Sequence, residues 1–447
     1  MIDPTRNNDL EVLIVGGGIG GLCLAQGLKK AGVDVHVYER DLTPTSRLQG
    51  FRIHIDPDGS GALHECLPGH LWEIFVSTCG DFSQGFTMLN QRLEELIKFR
   101  DQPQASDLVA QHRSVSRMTL RQILLSGLGD AVHFGKRFER YEQREDGRII
   151  VFFDDGSRAQ CNVLVAADGV NSRVRQQYLP GNDPFDTGVI SLGGKIPLTD
   201  GVMAMIPPSL LDGPAIVLPA EPANLFLAAW RRSSHASEQV KLLSAANAAG
   251  EAAQDEGDYV VLALAAKREF FGFDTEIPES TPGEMRAILR RKMLNWHPNL
   301  RKLAEMTGDE LGFLRIRSSQ PTPPWTPSNV TLLGDAIHSM TPFRGIGANV
   351  ALRDAALLCS KLVGAQRSGV PAASRIGEYE AEMRIYGFKA VAESLKSMEQ
   401  AVAPKKLGFK LGMSAMRVAH RVPALRRRIM EQRVTRPKSR LVNQVQP

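Results

Sequence analysis

The apolar residues near the start of the chain follow the spacing of a strand, a helix and a second strand. LEVLIV is a short apolar run typical of a buried strand, and a glycine turn, GGGIGG, follows it. Leu22, Ala25 and Leu28 then recur on one face of a predicted helix, which we expect Gly32 to end. The alternating VDVHVYER predicts the second strand, so residues 10–40 are expected to form one βαβ unit.

Downstream, the pattern alternates between helix and strand, apart from one long stretch of strands. Residues 114–128 have helical spacing, and RIIVFFDDGSRAQCNVLVAADG predicts two strands joined by an Asp-Gly turn. Over residues 186–275 the helical pattern weakens, and runs such as VISLGGKIPL and NLFLAAWRR indicate an antiparallel sheet. Residues 283–306 return to helix, FLRIRSS and NVTLLGD to strand, and residues 347–400 to helix.

This order predicts an α/β fold, in which a Rossmann-like domain is assembled from separated segments around an inserted, mostly antiparallel β-sheet. The length of 447 residues exceeds what one hydrophobic core normally supports, so more than one domain is expected. A cleft between the domains is then the expected site for a small molecule. The expected segments are 1–75, 110–185 and 283–375 for the nucleotide-binding domain, 76–109 and 186–282 for the substrate-binding domain, and 376–447 for a C-terminal helical, basic segment.

Composition narrows the class of protein. With 43% hydrophobic and 23% charged residues, the chain has the make-up of a globular enzyme and not of a disordered or fibrous protein. Its five cysteines are scattered without a C-x-x-C pair, which argues against a disulfide framework or a zinc site, and we expect no bound metal. No apolar run approaches the ~18 residues of a membrane helix, and the polar first residues do not resemble a signal peptide, so a cytoplasmic location is expected.

Charge is concentrated in the last part of the chain. The total is +5, but residues 405–440 contain twelve Lys or Arg and one acid, a net of +11 that leaves −6 for the remainder. We expect a basic amphipathic helix here, interrupted near Pro423, that packs across the two domains or associates weakly with a membrane surface. Nucleic acid is not an expected partner, because no aromatic platform accompanies the charge. The apolar residues of this helix recur at three- and four-residue steps: Leu411, Ala415, Val418, Val422, Leu425 and Ile429.

The glycine turn after the first strand has the chemistry of a dinucleotide site. Gly16, Gly18 and Gly21 satisfy G-x-G-x-x-G between a strand and a helix, where the backbone can approach a pyrophosphate at the helix N-terminus. Glu39 ends the second strand, and its carboxylate can accept a hydrogen bond from a ribose 2′-hydroxyl. An acid at this place favours an unphosphorylated ribose, which leaves both FAD and NAD open.

Two later turns also follow strands and precede helices. Asp168 and Gly169 turn the chain into a helix that Ser172 is expected to cap. In GDAIHSMTPFRGIGAN, Asp335 closes a strand and can accept from a hydroxyl of a polyol or a ribose. The glycines of FRGIG allow the backbone to approach a planar group, and the following helix N-terminus would stabilise an anion beside it.

Taken in order, the turns resemble the signatures of group A (aromatic-hydroxylase type) FAD-dependent monooxygenases, which have the p-hydroxybenzoate hydroxylase fold. Arg117, in SRMTLRQIL, also matches the arginine that opens the helix before the middle signature in this family. The resemblance covers residues 10–370. The residues that carry it are Gly16, Gly18 and Gly21, then Asp168 and Gly169, then Gly334 and Asp335, and finally Pro342, Gly345, Gly347 and Asn349.

The resemblance implies noncovalent FAD and assigns roles to individual residues. Arg52, in RLQGFRIHI, is implied to contact the flavin or the substrate and is the one catalytic candidate. His338 is expected to be a packed or hydrogen-bonded loop residue and not an acid–base group. The implied cofactor contacts are Gly16, Gly18, Gly20 and Gly21 at the pyrophosphate, Glu39 and Arg40 at the adenosine, Arg117 at the ribityl-pyrophosphate region, Asp168 between FAD and NAD(P)H, Gly334 and Asp335 at the ribityl chain, and Pro342, Gly345, Gly347, Ala348 and Asn349 around the isoalloxazine.

Two residues depart from the family pattern in FRGIG, the turn implied to face the flavin ring (the flavin turn). Ile346 stands between the late glycines, where glutamine is common among relatives, and Arg344 stands where small residues are common. The backbone makes the expected flavin contact, so FAD binding is expected to persist. We expect these two residues to affect the surroundings of the flavin ring, and with them flavin mobility or substrate preference.

The family resemblance also implies a reaction. NAD(P)H, bound transiently, would reduce FAD, and the reduced flavin would react with O₂ to a C4a-hydroperoxide that hydroxylates an aromatic or polycyclic small molecule, as in secondary metabolism. An epoxidase, a Baeyer–Villiger-type oxygenase and a flavin-binding protein without turnover remain open alternatives. Phe226, Trp230 and small residues of the inserted sheet suggest room for a flat substrate, although core packing explains Phe226 equally well. A monomer or a weak homodimer is expected.

Overall fold

The computed structural model of the chain describes residues 10–44, 52–79, 85–100, 106–231 and 257–404. The strands within these ranges, numbered along the chain, are β1 Glu11–Val15, β2 Asp34–Tyr38, β3 Arg52–Ile55, β4 Gly85–Asn90, β5 Glu95–Arg100, β6 Arg113–Ser116, β7 Val132–His133, β8 Phe138–Gln143, β9 Ile149–Phe153, β10 Arg158–Cys161, β11 Val163–Ala166, β12 Phe185–Pro197, β13 Ala215–Leu218, β14 Ala223–Trp230, β15 Tyr259–Lys267, β16 Gly312–Ser318 and β17 Val330–Leu332. The helices are α1 Ile19–Lys30, α2 Pro57–Cys66, α3 Gly69–Thr78, α4 Arg117–Leu125, α5 Arg173–Tyr178, α6 Asp200–Met203, α7 Arg268–Phe271, α8 Pro282–Lys292, α9 Pro298–Glu305, α10 Asp335–His338, α11 Gly347–Ser368 and α12 Ala372–Val402.

A five-stranded parallel sheet, ordered β17-β11-β1-β2-β7, carries the first half of the fold. The predicted βαβ unit lies at its centre, with β1 and β2 in register from Glu11 opposite Asp34 to Val15 opposite Tyr38. The chain returns to this sheet after long excursions, so the predicted Rossmann-like assembly is confirmed. Parallel strands end at the same edge of a sheet, and this brings together the turns that follow β1, β11 and β17.

A seven-stranded sheet, ordered β16-β12-β15-β14-β13-β4-β5, is the inserted part. Every neighbouring pair in it is antiparallel except β13 with β4, so the prediction of a mostly antiparallel sheet is confirmed. Helices α8 and α9 cover one face, where Leu289 and Leu303 join Leu225 and Leu262 in one hydrophobic core. The residues of α8, α9 and β16 therefore pack with the second sheet, whereas the sequence-based boundary at 283 assigned them to the nucleotide-binding domain.

The last helix described, α12, connects the two sheets. Near its start, the Tyr379 hydroxyl donates a hydrogen bond of 2.9 Å to the carbonyl oxygen of Leu332 in β17. Near its end, Met398 and Val402 pack with residues of β12 and β16 in a small hydrophobic cluster. Because one rigid helix contacts both layers, it helps to fix the position of the second sheet relative to the first.

Some predictions differ from the structure or lie outside it. RIIVFFDDGSRAQCNVLVAADG contains three strands and not two: β9 and β10 form an antiparallel hairpin, and β11 leaves it to enter the parallel sheet. Periodicity cannot separate these cases, because a hairpin strand and a buried parallel strand are both short apolar runs.

The predicted basic helix of residues 405–440 and residues 47–51 lie outside the described residues. Among the helices described, none combines the length and the apolar character needed to cross a membrane.

Candidate functional site

The glycines of the first turn have different roles. Gly16 has a φ of +109°, and a Cβ atom there would lie 2.3 Å from the Ala167 carbonyl oxygen. A Cβ at Gly21 would lie 2.3 Å from the Gly16 carbonyl oxygen, and one at Gly20 would lie 2.8 Å from Leu333 Cδ1. These glycines therefore serve close packing between the turn, α1 and the neighbouring strands.

Gly18 faces open space. It is the N-cap of α1, and a Cβ atom there would meet, beyond its neighbours in the chain, no atom of the described residues within 4 Å. Free N–H groups at the start of a helix, next to space for a ligand, are the arrangement that a diphosphate requires. The first signature therefore fits its predicted cofactor group on structural grounds.

Glu39 holds the shape of this turn. Its Oε2 atom accepts a hydrogen bond of 2.7 Å from the N–H group of Gly17, and its Oε1 atom accepts one of 2.9 Å from Asp41 N–H. The side chain is buried at the end of β2, beside the expected adenosine position. Arg40 is exposed next to it.

Arg121 is a contact of the first turn that sequence reasoning did not single out. Its Nε atom donates to the Gly17 carbonyl oxygen at 3.2 Å, and its Nη1 atom donates to the carbonyl oxygen of Pro44. Arg121 lies one helical turn after Arg117 in α4, and this i, i+4 spacing is the signal that would have found it.

Asp335 and Arg117 form the second part of the site. Asp335 follows Gly334, whose φ of +60° is in the left-handed region, and it is reached by solvent. Burial by the surrounding protein nevertheless raises the pKa of Asp335, while the charges of His338 and Arg117 act in the opposite direction. Arg117, exposed at the start of α4, is thus electrostatically coupled to Asp335.

The middle turn contains a buried carboxylate with spare hydrogen-bonding capacity. The N–H group of Arg173 donates to Asp168 Oδ2 at 2.9 Å, while Asp168 Oδ1 is buried with no hydrogen-bond partner among the residues that the structure describes. Burial raises the pKa of Asp168. Ser172 Oγ accepts from the Arg175 N–H group at 2.9 Å, so the predicted helix cap is confirmed. An unsatisfied carboxylate oxygen between two ligand turns fits a hydroxyl or amide donor from a cofactor.

Arg175 joins the middle and late turns, and sequence reasoning missed it. The side chain is 1% exposed. Its Nη1 atom donates to the Ala336 carbonyl oxygen at 2.9 Å, and its Nη2 atom donates to the Val170 carbonyl oxygen at 3.1 Å and to Asp183 Oδ1 at 3.0 Å. Two segments that are far apart in the chain are therefore held in one geometry by a single guanidinium group.

The late glycine turn is fastened through Asn349. Its Nδ2 atom donates to the His54 carbonyl oxygen at 2.9 Å, and its Oδ1 atom accepts from Asp56 N–H at 3.0 Å. These contacts hold β3 against the N-terminus of α11. The first backbone N–H groups of α11, at Gly347 and Ala348, remain as the candidates for a planar ligand, and Pro342 and Gly345 precede them on exposed backbone.

The two departures from the family pattern have distinct environments. Arg344 forms an ion pair with Glu393 of α12, so its side chain is directed to that helix. Ile346 is the N-cap of α11 and is partly exposed. Of the two, Ile346 is the residue that directly precedes the helix N-terminus.

Arg52 lies where the two sheets meet. It begins β3, and its Nη1 atom approaches the carbonyl oxygen of Ala229 in β14 at 3.5 Å. Burial lowers the pKa of Arg52, and Tyr259 acts in the opposite direction. A partly desolvated cation at this junction can attract an anionic group of a ligand.

The face of the second sheet opposite the α8 and α9 core is partly open, because α12 covers only part of it. Across its strands, Gly193 is paired with Ala263, Ala263 with Phe226, and Phe226 with Ile216. Phe226 is 38% exposed, so core packing does not explain it. Trp230, by contrast, is buried with Tyr259 and Val261. The face thus presents small and apolar side chains in one row.

The fold and the site together define a class of protein. A helix N-terminus with open space at Gly18, the buried acid Glu39 and the solvent-reached acid Asp335 are the groups that a flavin adenine dinucleotide requires at its diphosphate and hydroxyl groups. The sequence matches a family described as FAD binding domain over residues 9–191 and 312–394. The chain belongs to this family, as the group A resemblance predicted, and FAD is its cofactor.

Related proteins are FAD-dependent as well. The dual O-methyltransferase/FAD-dependent monooxygenase elcB of Phaeosphaeria nodorum is 33% identical over 378 residues, which is 78% of this chain and 40% of the relative. This chain therefore spans about two fifths of the length of that protein. The FAD-dependent urate hydroxylase of Klebsiella pneumoniae is 28% identical over 387 residues, 83% of this chain and 85% of the relative.

Solved structures agree on the fold. A structure from Photorhabdus luminescens, assigned as an FAD-containing monooxygenase, has a TM-score of 0.77 and 37% identity and covers 88% of this chain and 99% of its own. HpxO of Klebsiella pneumoniae, complexed with FAD and uric acid, has a TM-score of 0.74 at 23% identity and covers 95% of this chain and 96% of its own.

Proposed function

We propose that the protein is a monooxygenase that uses NAD(P)H and O₂ to hydroxylate an aromatic or polycyclic small molecule. One observation carries the proposal: the flavin turn and the open face of the second sheet are joined by a short path of contacts. Asn349 binds the His54 carbonyl in β3, and Arg52 of the same strand reaches Ala229 in β14. In this proposal the cofactor turn and the apolar face border the same space.

In this proposal the cofactor lies along the three turns. Gly18 and the N-terminus of α1 would hold the diphosphate, and Glu39 the adenosine ribose. Asp335, with Arg117 beside it, would bind the hydroxyls of the ribityl chain, and the first N–H groups of α11 would face the flavin ring. The unpartnered Asp168 Oδ1 atom would accept from a donor on FAD or NAD(P)H.

The protein contributes charge, orientation and exclusion of water to the reaction. When bound, FAD supplies the redox chemistry, in which electrons come from NAD(P)H and oxygen from O₂. The positive end of the α11 dipole favours negative charge on a group placed before it. Arg52 would hold an anionic oxygen of the substrate. The row of cross-strand neighbours Gly193, Ala263, Phe226 and Ile216 would contact a flat apolar ring system and keep water away from it.

The proposal is tested by NAD(P)H oxidation in air with a panel of aromatic and polycyclic compounds, scored together with oxygenated product by mass spectrometry. We expect at least one compound to stimulate oxidation and to gain one oxygen atom. The structure of the product distinguishes hydroxylation from epoxidation and from Baeyer–Villiger insertion. Purified protein that takes up FAD but consumes no NAD(P)H with any compound would instead favour a binding protein without turnover.

A further inference from the structure

Asp354 of α11 is a buried acceptor of three hydrogen bonds from three parts of the chain. Its Oδ2 atom accepts from the Gly334 N–H group at 2.7 Å and from His338 Nε2 at 2.6 Å, and its Oδ1 atom accepts from the Tyr386 hydroxyl at 2.6 Å. Asp354 and His338 are both 0% exposed. The late turn, α10 and α12 are therefore tied to one carboxylate in α11.

The contact to Gly334 controls the residue that follows it. Gly334 has a φ of +60° and a ψ of −140°, a conformation that side-chain-bearing residues rarely adopt. Its N–H group is fixed by Asp354, and its carbonyl oxygen accepts from His338 N–H at 3.0 Å. With both polar groups of Gly334 held, the backbone that leads into Asp335 has one orientation.

The position of the His338 ring is fixed by close packing as well as by its hydrogen bond to Asp354. A Cβ atom at Gly387 of α12 would lie 2.7 Å from His338 Cδ2, so the ring occupies the space that a side chain at Gly387 would need. A buried carboxylate is stable only when its charge and lone pairs are satisfied. Burial acts to lower the pKa of His338, but the charge and hydrogen bond of Asp354 outweigh it and raise that pKa. His338 thus donates to Asp354, in line with its expected hydrogen-bonded role.

We propose that Asp354 and His338, supported by Tyr386, are positioning residues that set the Gly334–Asp335 turn in its FAD-binding geometry without contacting the cofactor. This inference rests on the proposed assignment of Asp335 to the ribityl chain. Its alternative is that the network only stabilises the fold. A positioning role predicts that FAD affinity falls by more than the loss of apoprotein stability explains. A purely structural role predicts no such additional loss.

The test measures the FAD dissociation constant of apoprotein by fluorescence titration, beside the melting temperature of the same apoprotein. Asp354→Asn keeps the size of the side chain but removes its charge and one acceptor, and we expect FAD binding to weaken about tenfold or more. His338→Leu removes a donor and should weaken FAD binding to a similar extent. His338→Gln retains an N–H donor that can reach Asp354, so it should recover most of the affinity.

The matched control is Thr331→Val. It breaks another buried hydrogen bond to α12, from Thr331 Oγ1 to Glu380 Oε1 at 2.8 Å, whose two partners lie outside the Gly334–Asp335 turn. We expect it to lower the melting temperature and to leave the FAD dissociation constant unchanged. If the Asp354 and His338 variants behave like this control, the positioning role is wrong and the network is structural.

Asp335→Ala separates this inference from the assignment on which it rests. Loss of FAD in Asp335→Ala, together with unchanged affinity in Asp354→Asn and His338→Leu, overturns the positioning role alone. Unchanged affinity in Asp335→Ala overturns the ribityl assignment. If Asp354→Asn does not fold, the comparison of His338→Leu with His338→Gln still decides, because recovery by glutamine requires the hydrogen bond.

Discussion

Arg175 Nη1 donates a hydrogen bond of 2.9 Å to the carbonyl oxygen of Ala336, although the two residues are 161 positions apart in the chain. The same guanidinium group binds the Val170 carbonyl oxygen. The middle signature and the late signature are thus held together directly, and not only through the strands that precede them.

Replacement of Arg175 should therefore affect stability and FAD together. Arg175→Met leaves the buried Ala336 carbonyl oxygen and the part-buried Val170 carbonyl oxygen without this donor. We expect the free energy of unfolding to fall by about 2–4 kcal/mol and FAD to bind more weakly. The measurement is urea denaturation of the apoprotein with FAD titration. Arg173→Met is the control: among the described residues, the side chain of this exposed neighbour makes one hydrogen bond, to the Phe138 carbonyl oxygen at 3.0 Å, and its loss should cost less than about 1 kcal/mol. Equal effects of the two changes would contradict the bridging role.

Substitution by alanine should affect folding at Gly16 and FAD binding at Gly18. Gly18 has an ordinary φ of −77° and open space in front of it, so Gly18→Ala should leave the melting temperature of the apoprotein unchanged. Its added methyl group would occupy the expected diphosphate position, and FAD binding should weaken about tenfold. Gly16→Ala would place a methyl group 2.3 Å from the Ala167 carbonyl oxygen at a left-handed φ, so it should prevent stable folding. Normal FAD affinity in Gly18→Ala would sink the diphosphate assignment.

Glu380 should make the apoprotein less stable as pH rises. Burial raises its pKa to about 7 from a usual 4.5, although a hydrogen bond from Thr331 favours the ionised form. The folded state thus holds this proton more tightly than the unfolded state does. The stability from Glu380 is complete below about pH 4.5 and is lost as pH rises to about 7, by up to about 3 kcal/mol.

The comparison for this effect is Glu380→Gln, which cannot ionise but can still accept from Thr331. Urea denaturation of apoprotein at several values between pH 5 and pH 8 should give a flatter profile for the variant than for the native chain. Other titrating groups are common to both proteins and cancel in the difference. Parallel profiles would show that Glu380 is ionised in the folded protein at neutral pH.

The two faces of β15 should tolerate added volume differently. Ala263 faces the open side of the second sheet, whereas Ala266 is buried in the core covered by α8 and α9. Ala263→Leu should leave the melting temperature and FAD content unchanged and raise the KM for substrate about tenfold, because the new side chain occupies the proposed substrate face. Ala266→Leu should lower stability by about 1–3 kcal/mol through overpacking. Unaltered substrate kinetics in Ala263→Leu would place the substrate elsewhere.

Much of the site was predictable because its signatures are local. A glycine pattern between a strand and a helix specifies the first turn, and Asp335 stands directly after an apolar strand. The parallel topology then follows from the order of strands and helices, and it brings the turns to one edge. The helix cap at Ser172 is equally local, since donor and acceptor are three residues apart.

The contacts that hold the turns in place were not predictable in this way. Asn349 binds a carbonyl 295 positions away, and Gly17 donates to a carboxylate 22 positions away. The domain boundary expected at residue 283 was also misplaced. The helical pattern of α8 and α9 suits either domain, and only the sheet that they cover shows to which domain they belong. Sequence periodicity states which face of an element is apolar, but not which surface it will meet.

The sequence by itself determined the class of this protein and its cofactor, because both depend on backbone geometry that short motifs specify. Only the tertiary structure decided that Arg175 and Asp354 fasten the cofactor turns, that Phe226 faces outward and that Arg344 is paired with Glu393. The physical reason is that these contacts depend on how whole helices and sheets pack. A side chain meets a partner from a distant segment only once that packing sets the distance between them.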